Sequence, residues 1–227
     1  MTVVALSLGK WKKVQGDRLI PEWIVAAHPR SSVGGTNGVT NLPVNEYGYV
    51  SVDFDSVDFI PTVSEGMNEH GVSLSVQTFR QAIYQEHREI RPTKPAILFT
   101  EVAALLLGGC KTVDDAVTVL DTVTVLGNDV PTADRSHWSI VDAQGGSLVL
   151  EFTDGKLQAH DNSQIATMTN DPDYTWHLRN LNNYASLSTA WPVASYAVET
   201  DLTPNSAVPS AVGHGFNLMG MPGDYSP

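Results

Sequence analysis

The stretch Gly66-Met-Asn-Glu-His-Gly-Val72, which continues as Ser73-Leu-Ser-Val-Gln77, decides the fold class of this chain. Its central residues are polar and end in glycine, a composition that predicts a tight turn. After the turn, Val72, Leu74 and Val76 alternate with polar residues, which is the period of a strand with one buried face. The segment therefore predicts a half-buried strand that is entered through a tight turn.

Similar patterns predict strands on both sides of this segment. The clearest is a hairpin in which two apolar runs flank the turn Ala143-Gln-Gly-Gly146. Asp154-Gly155 predicts a second tight turn that leads into a further strand. The predicted strands are Trp23–Ala27, Tyr49–Phe54, Trp138–Asp142, Ser147–Phe152 and Lys156–His160. The segment Met168–Pro172 is predicted to close a further strand.

The middle of the chain changes to a helical pattern. Pro95 suits the first turn of a helix, and we predict a helix from there to Leu107, ended by the glycine pair at 108–109. Thr112 with Asp115 three residues later resembles a capping box, which predicts the start of a second helix. Two helices thus lie between the two groups of strands.

Residues 174–184 predict a third, short helix. The chain therefore runs from strands to paired helices and back to strands. This order predicts a layered α+β sandwich rather than alternating βαβ units. We expect residues 1–227 to form one domain, because mixed domains of this length often build a single core.

The composition narrows the classes of partner. Acidic residues outnumber basic ones, 25 to 13, and the formal net charge of -12 repels nucleic-acid backbones and anionic membranes. Glu101 interrupts the longest apolar run, which is too short to cross a membrane. The first residues lack the charge order of a signal peptide, so a cytoplasmic location is the default expectation. We predict neither a nucleic-acid nor a membrane partner, and leave a homo-oligomer open.

Cys110, the only cysteine, is the first candidate for a nucleophile. It follows the predicted end of one helix, where the helix dipole disfavours a thiolate, and precedes the next helix, whose dipole acts in the opposite sense. A buried free cysteine commonly behaves as a small hydrophobic residue, so we predict that Cys110 packs between the helices and is not catalytic. The seven histidines show no metal-ligand spacing, and we predict no metal and no cofactor.

Several stretches, taken together, resemble the choloylglycine hydrolase and penicillin V acylase family of N-terminal-nucleophile hydrolases. Each motif alone is weak, but their order and spacing, from roughly residue 20 onward, are fairly specific. The stretches that carry the resemblance are Gly66–Val72, Gly109–Ala116, Trp138–Phe152, Thr169–Pro172, His177–Leu181 and Met221–Ser226.

The resemblance implies a four-layer αββα sandwich of two packed antiparallel sheets, and hydrolysis of a linear carbon–nitrogen amide bond. It implies a small-molecule amide substrate, which could be a conjugated bile salt, penicillin V or an acyl-homoserine lactone; the sequence does not choose among them. In that family the side chain of an N-terminal cysteine attacks the amide. Its own α-amine, with a pKa of about 8, serves as the base.

The resemblance also implies two residues that stabilise the oxyanion of the tetrahedral intermediate. Asn170 is expected to supply its side-chain amide, and Thr78 its backbone N–H. Family members usually carry Asn or Tyr at the position of Thr78, so its side chain is given no role. Without the resemblance, residues 169–172 are an ordinary turn and Thr78 is an ordinary strand end. Asn68 and Glu69 are interpreted as turn residues.

The chain departs from the family pattern at both ends. Roughly its first twenty residues do not match the expected nucleophile region, and it stops at Pro227, shortly after the Pro-Gly-Asp motif. We therefore expect an incomplete sandwich and a chain that is itself inactive. Thr2, exposed by removal of Met1, is an alternative nucleophile. The other hypotheses are a non-catalytic relative that uses the sandwich for binding or assembly, and an unrelated two-sheet domain.

Overall fold

A computed structural model describes residues 14–15, 18–19, 22–32, 42–55 and 62–182 of the chain. The chain divides into two compact units, residues 1–174 and residues 175–227. The first unit holds all the strands and two of the α-helices of the described residues. The described part of the second unit is residues 175–182, and all but Asn182 belong to a helix that begins at Tyr174. The single domain expected from chain length stays a prediction.

The described part of the first unit is built around one antiparallel sheet of seven strands. In chain order the strands of the described residues are β1 Val14–Gln15, β2 Arg18–Leu19, β3 Glu22–His28, β4 Tyr49–Asp55, β5 Thr62–Asn68, β6 Ser73–Thr78, β7 Ala96–Leu98, β8 Thr124–Leu126, β9 Ser136–Val141, β10 Ser147–Thr153 and β11 Lys156–Asp161. The seven-stranded sheet has the order β11-β10-β9-β6-β5-β4-β3, while β1 pairs with β2 and β7 pairs with β8. The strands predicted near residues 23, 49, 72, 138, 147 and 156 are confirmed, and so is the α+β class.

Three short α-helices complete the described architecture. They are α1 Val102–Gly109, α2 Asp115–Asp121 and α3 Tyr174–Leu181, and single 3-10 turns cover His87–Glu89, Phe99–Glu101 and Thr132–Asp134. Helix α1 is apolar all round, and every residue from Val102 to Gly108 is buried, as expected for a helix covered on several sides. It lies between the sheet and α2.

Gly66 explains why α1 can lie so close to the sheet. A Cβ atom at this position would lie 2.5 Å from Leu107 Cδ1 and 2.9 Å from the Val50 carbonyl oxygen. The turn that follows β5 is the predicted one, with Gly71 at φ +82°, a conformation that glycine adopts without a Cβ penalty. The motif Gly66–Val72 therefore determines both the turn between β5 and β6 and the close packing of α1 on the sheet.

Helix α2 begins at Asp115, later than the predicted capping box places it, and its N-cap, Asp114, makes no side-chain cap hydrogen bond. The Asp115 carboxylate accepts the backbone N–H groups of Lys111 at 2.8 Å and Thr112 at 3.0 Å. This satisfies amide donors that have no partner inside the helix. The helix ends at Asp121, and the β-branched residues that follow form β8.

The helix predicted from Pro95 is wrong over its first residues. Residues 96–98 form β7, which pairs in parallel with β8, and the Pro95 carbonyl accepts the Thr124 N–H at 2.8 Å. Pairing with a distant strand overrides the local helical preference, because tertiary context outweighs propensity. The glycine pair at 108–109 lies inside the last turn of α1 rather than beyond it.

The strand segment predicted for residues 168–172 is also wrong. The segment carries no strand, because its backbone groups bond to single partners instead of forming a continuous ladder. The Thr169 carbonyl contacts the His137 ring, and the Asp171 N–H donates to the Thr78 carbonyl. The segment is therefore held by individual contacts to β6 and β9.

The two faces of the sheet differ in what covers them. Trp138, Ile140 and Leu150 are fully buried on the face that carries α1. On part of the opposite face lie exposed apolar side chains, among them Val50 and Met67, under a cleft of about 500 Å³. The second sheet of the predicted sandwich is not among the described residues.

Candidate active site at the end of strand β6

The structure brings together the two residues that the family resemblance singles out. Thr78 is the last residue of β6, and it pairs with Ser136 on β9. Strand β5 pairs with β6 only from Ser73 to Ser75, so the other edge of β6 is open at Thr78. There the Thr78 N–H donates to Asn170 Oδ1 at 3.0 Å. Two residues 92 positions apart thus meet at one strand end.

The neighbouring Asp171 fixes the same segment to the strand. Its backbone N–H donates to the Thr78 carbonyl at 3.1 Å. Its carboxylate accepts the backbone N–H of Arg80 at 2.6 Å and the Arg80 guanidinium at 2.8 Å. Residues 170 and 171 therefore occupy the open edge of β6 in place of a neighbouring strand, while the Asn170 side chain is exposed.

The observed hydrogen bond defines the orientation of the Asn170 amide. Because Oδ1 accepts from Thr78, the donor nitrogen Nδ2 occupies the other branch of the planar group. The Thr78 N–H is bonded to Asn170 in this structure, so it reaches another acceptor only when that bond is exchanged. The two groups are adjacent, with one donating to the other.

A buried pair that sequence reasoning missed lies behind this segment. His137 on β9 and Glu151 on β10 are both buried, with Nδ1 and Oε1 2.8 Å apart. The other ring nitrogen, Nε2, lies 3.0 Å from the Thr169 carbonyl oxygen. The predicted hairpin could have indicated this pair. A register that places Trp138 opposite Leu150 also places His137 and Glu151 on neighbouring strands and on the same face of the sheet.

Cys110 lies where the sequence predicted, between α1 and α2, with none of its surface exposed. Burial, with a contribution from Asp115, raises the pKa of its thiol to about 12. A thiol with this pKa supplies almost no thiolate near neutrality. Cys110 is therefore a packing residue.

Asn68 and Glu69 are turn residues, as interpreted from the sequence. Asn68 is buried and bonds four backbone groups: it accepts from His70 and Val72, and it donates to Leu107 and Cys110. The Glu69 carboxylate pairs with the Arg30 guanidinium at 2.6 and 2.7 Å. Both side chains are used to hold the turn.

His28, Ser51 and Asp53 form a second polar group, which does not have the geometry of a catalytic triad. His28 Nε2 lies 3.1 Å from Ser51 Oγ and 4.0 Å from Asp53 Oδ2. A triad needs the carboxylate on the other ring nitrogen, Nδ1, to orient the base. Burial lowers the pKa of His28 and raises that of Asp53, so both charged forms are disfavoured.

Other candidates from the sequence are placed as follows. Thr2 and the motif at 221–226 lie outside the described residues. The described ranges contain no group of three or more His, Cys, Asp or Glu side chains that could hold a metal ion. Among the described helices, none has the length and apolar character needed to span a bilayer.

Comparison with known families identifies the chain. A family described as linear amide C–N hydrolases, choloylglycine hydrolase family, matches residues 20–227. The chain belongs to the choloylglycine hydrolase family. The resemblance predicted from the sequence motifs is thereby confirmed.

Individual relatives agree with this assignment. A bile salt hydrolase/transferase of Clostridium perfringens is 30% identical over 175 residues, covering 75% of this chain and 50% of the relative. A penicillin V acylase of Pectobacterium atrosepticum is 28% identical over 170 residues, covering 71% of this chain and 44% of the relative. The chain thus spans about half the length of the curated relatives it matches.

A solved structure supports the fold. The crystal structure of a variant of conjugated bile acid hydrolase from Clostridium perfringens superposes with a TM-score of 0.61 and 26% identity. The superposition covers 89% of this chain and 60% of that one. The α+β sandwich of the N-terminal-nucleophile hydrolases is therefore the fold class of this chain.

Proposed function

We propose that the protein hydrolyses a linear amide, and that Asn170 and Thr78 stabilise the oxyanion formed on the attacked carbonyl. The observation that carries the proposal is the 3.0 Å hydrogen bond between the Thr78 N–H and Asn170 Oδ1. It joins the two positions that the family pattern assigns to this role, although nothing in the local sequence requires them to meet.

The chemistry of the two groups fits the task. Attack on an amide carbonyl places a negative charge on its oxygen, and donors at about 2.7–3.1 Å stabilise that charge. Asn170 Nδ2 is such a donor, and the bond from Thr78 fixes the plane of the amide before substrate arrives. An oxyanion is a stronger acceptor than an amide oxygen, so we expect the Thr78 N–H to exchange from Oδ1 to the oxyanion.

The attacking group in this proposal lies outside the described residues. Cys110 is buried with a raised pKa and does not qualify. The nucleophile would be the side chain of the N-terminal residue of the active protein. Its α-amine takes the proton from that side chain and passes it to the amine that leaves.

The proposed substrate is a small-molecule amide. The relatives are named bile salt hydrolase/transferase and penicillin V acylase, which makes choloylglycine and penicillin V the first compounds to test, with an acyl-homoserine lactone as a third. The finer choice among them is made by the assay.

The test combines a hydrolysis assay with an NMR titration. Release of the amine product is measured for the unaltered protein, for Asn170→Ala, and for Asn182→Ala as a control at another exposed asparagine. Removing one oxyanion donor is expected to lower kcat about 10²- to 10³-fold, and the control should be unchanged. Turnover that is insensitive to Asn170→Ala would overturn the proposal, and so would an unaltered protein that binds the amide but, as expected from the sequence alone, releases no product.

The titration makes the test independent of turnover. A bound amide should shift the ¹⁵N resonances of the Thr78 backbone and the Asn170 side chain more than those of the Asn68 side chain. Saturable binding that leaves both resonances unchanged would also overturn the proposal.

A non-catalytic binding role is the second candidate. The observation that favours it is that the Thr78 N–H already has an acceptor in Asn170. In that case choloylglycine or penicillin V would bind without release of product, and Asn170→Ala would change the dissociation constant alone.

A further inference from the structure

The segment that carries Asn170 rests on a buried histidine. His137 Nε2 lies 3.0 Å from the carbonyl oxygen of Thr169, the residue before Asn170. The ring of His137 also stacks on Phe79, the residue after Thr78, with centroids 4.8 Å apart. One imidazole therefore contacts the chain neighbour of each of the two residues proposed to bind the oxyanion.

The partners of His137 determine where its protons lie. A carbonyl oxygen can only accept, so Nε2 carries hydrogen. At the other nitrogen, Glu151 Oε1 lies 2.8 Å from Nδ1 and also accepts the backbone N–H of Tyr174 at 2.9 Å. The contact between Nδ1 and Oε1 therefore ties the ring to Glu151, while the other nitrogen holds the Thr169 carbonyl.

The surroundings of Glu151 keep the carboxylate ionised. Burial raises the pKa of Glu151, but the hydrogen bond with His137, the nearby His160 ring and the Tyr174 N–H outweigh burial and hold the pKa at about 2. The other titratable groups facing the pair are His160, 3.6 Å from Glu151 Oε2, and the Tyr174 hydroxyl, which is engaged by Asn162. Burial, with smaller contributions from the Asp161 and Glu151 carboxylates, raises the pKa of the Tyr174 hydroxyl.

We propose that His137, hydrogen-bonded to Glu151, is a positioning residue that fixes the Thr169–Asn170 peptide and thereby aims the Asn170 amide at Thr78. The inference rests on the proposed role of Asn170. It adds to that role a pair on β9 and β10 that touches no substrate. One hydrogen bond at each ring nitrogen ties the Thr169 carbonyl to the sheet through a single side chain.

The variants must separate hydrogen bonding from packing. His137→Ala is unsuitable, because losing the ring contact with Phe79 would by itself loosen the neighbouring Thr78. His137→Phe keeps a stacked ring and removes both ring nitrogens, while Glu151→Gln keeps the shape of the pair and removes the charge. The matched control is His28→Phe, because His28 also stacks on a ring, that of Tyr49 at 4.2 Å, and bonds Ser51.

The readout is hydrogen exchange of the Thr78 N–H, followed by NMR on the folded chain. Loss of the supporting bond should raise the Thr78 exchange rate about tenfold in His137→Phe and in Glu151→Gln, with little change at the β4–β5 amides. His28→Phe should leave Thr78 unchanged. Asn170→Ala should reproduce the Thr78 effect, because it removes the acceptor itself.

Two results would overturn the inference. The first is an unchanged Thr78 exchange rate in whichever of the two variants folds, or an equal increase over the whole sheet. The second needs no variant: ¹⁵N shifts of the His137 ring in the unaltered chain that show no hydrogen on Nε2, the nitrogen facing the Thr169 carbonyl. Failure of the proposed function is distinguishable, since Asn170→Ala would then leave hydrolysis intact while the exchange results stand.

Discussion

Two asparagines, Asn68 and Asn170, show how the same side chain serves the fold at one place and the proposed chemistry at another. Asn68 is buried at the end of β5, and its amide bonds four backbone groups. Asn170 is exposed, and its Oδ1 accepts the Thr78 N–H. Each residue lies next to a turn, in a stretch that resembles the family pattern.

The difference lies in what the surroundings demand. Around Asn68 the backbone groups of Val72, Leu107 and Cys110 are withdrawn from water, and each needs a partner. Around Asn170 solvent reaches the side chain, so the local structure can tolerate a change of partner. A structural asparagine is thus one whose every hydrogen-bonding position is used by buried backbone, and a candidate for catalysis is one that keeps access to solvent.

The largest expected effect tests this contrast directly. Asn68→Ala removes four hydrogen bonds and leaves buried donors and acceptors unpaired, which we expect to lower the free energy of unfolding by about 3 kcal/mol or more. Asn170→Ala should lower it by less than about 1 kcal/mol, because the site is exposed. Urea denaturation of both variants gives the comparison.

A third variant sharpens the result. Asn68→Asp keeps the acceptor for residues 70 and 72 but replaces the donor that faces the Leu107 and Cys110 carbonyls. It should therefore also be destabilised, by roughly the cost of the lost donor bonds. Equal stability of the Asn68 and Asn170 alanine variants would break the contrast between a structural and a functional asparagine.

The sequence predicted the sheet well because its strands follow local rules. The alternation at Val72, Leu74 and Val76 and the turn at residues 143–146 both depend on neighbours in the chain, and both are confirmed. The helix predicted from Pro95 failed over residues 96–98, because β8 lies far along the chain and its pairing cannot be seen in local patterns.

The candidate site depended on the family resemblance rather than on local pattern. A Thr-Asn-Asp-Pro stretch is typical of turns, and nothing in it indicates that Asn170 meets a strand end 92 positions earlier. The pair of His137 and Glu151 could have been found, since the hairpin register brings them to one face. It was missed because the histidines were weighed only as possible metal ligands.

The second-largest expected effect concerns Glu151, the partner of His137 behind the Asn170 segment, and it is tested by lowering the pH. The pKa of Glu151 in the folded chain is about 2, below its unfolded value of about 4.3. Its stabilisation is therefore fully present above about pH 5 and is lost as the pH falls toward 2. The stability gap between the unaltered chain and Glu151→Gln should narrow by about 2 kcal/mol over that range.

Unfolding curves at several pH values between 5 and 2.5 measure this gap. The other carboxylates are common to both proteins, so their titration cancels in the difference. A gap that stays constant, or widens in acid, would show that Glu151 is not held ionised by its histidine partners.

The smallest effects come from the glycine pair beside Asn68, where two adjacent positions have opposite requirements. An added Cβ at Gly108 would press into the buried Asn45 side chain, whereas at Gly109 it would meet only Val119 at 3.6 Å, an ordinary contact. Gly108→Ala should therefore destabilise the chain by about 1–2 kcal/mol. Gly109→Ala should stabilise it by less than about 1 kcal/mol, since alanine favours the helix. Thermal melts of the two variants should move in opposite directions. A shift of both in the same direction would mean that the end of α1, to which Asn68 donates, is less tightly packed than its contacts indicate.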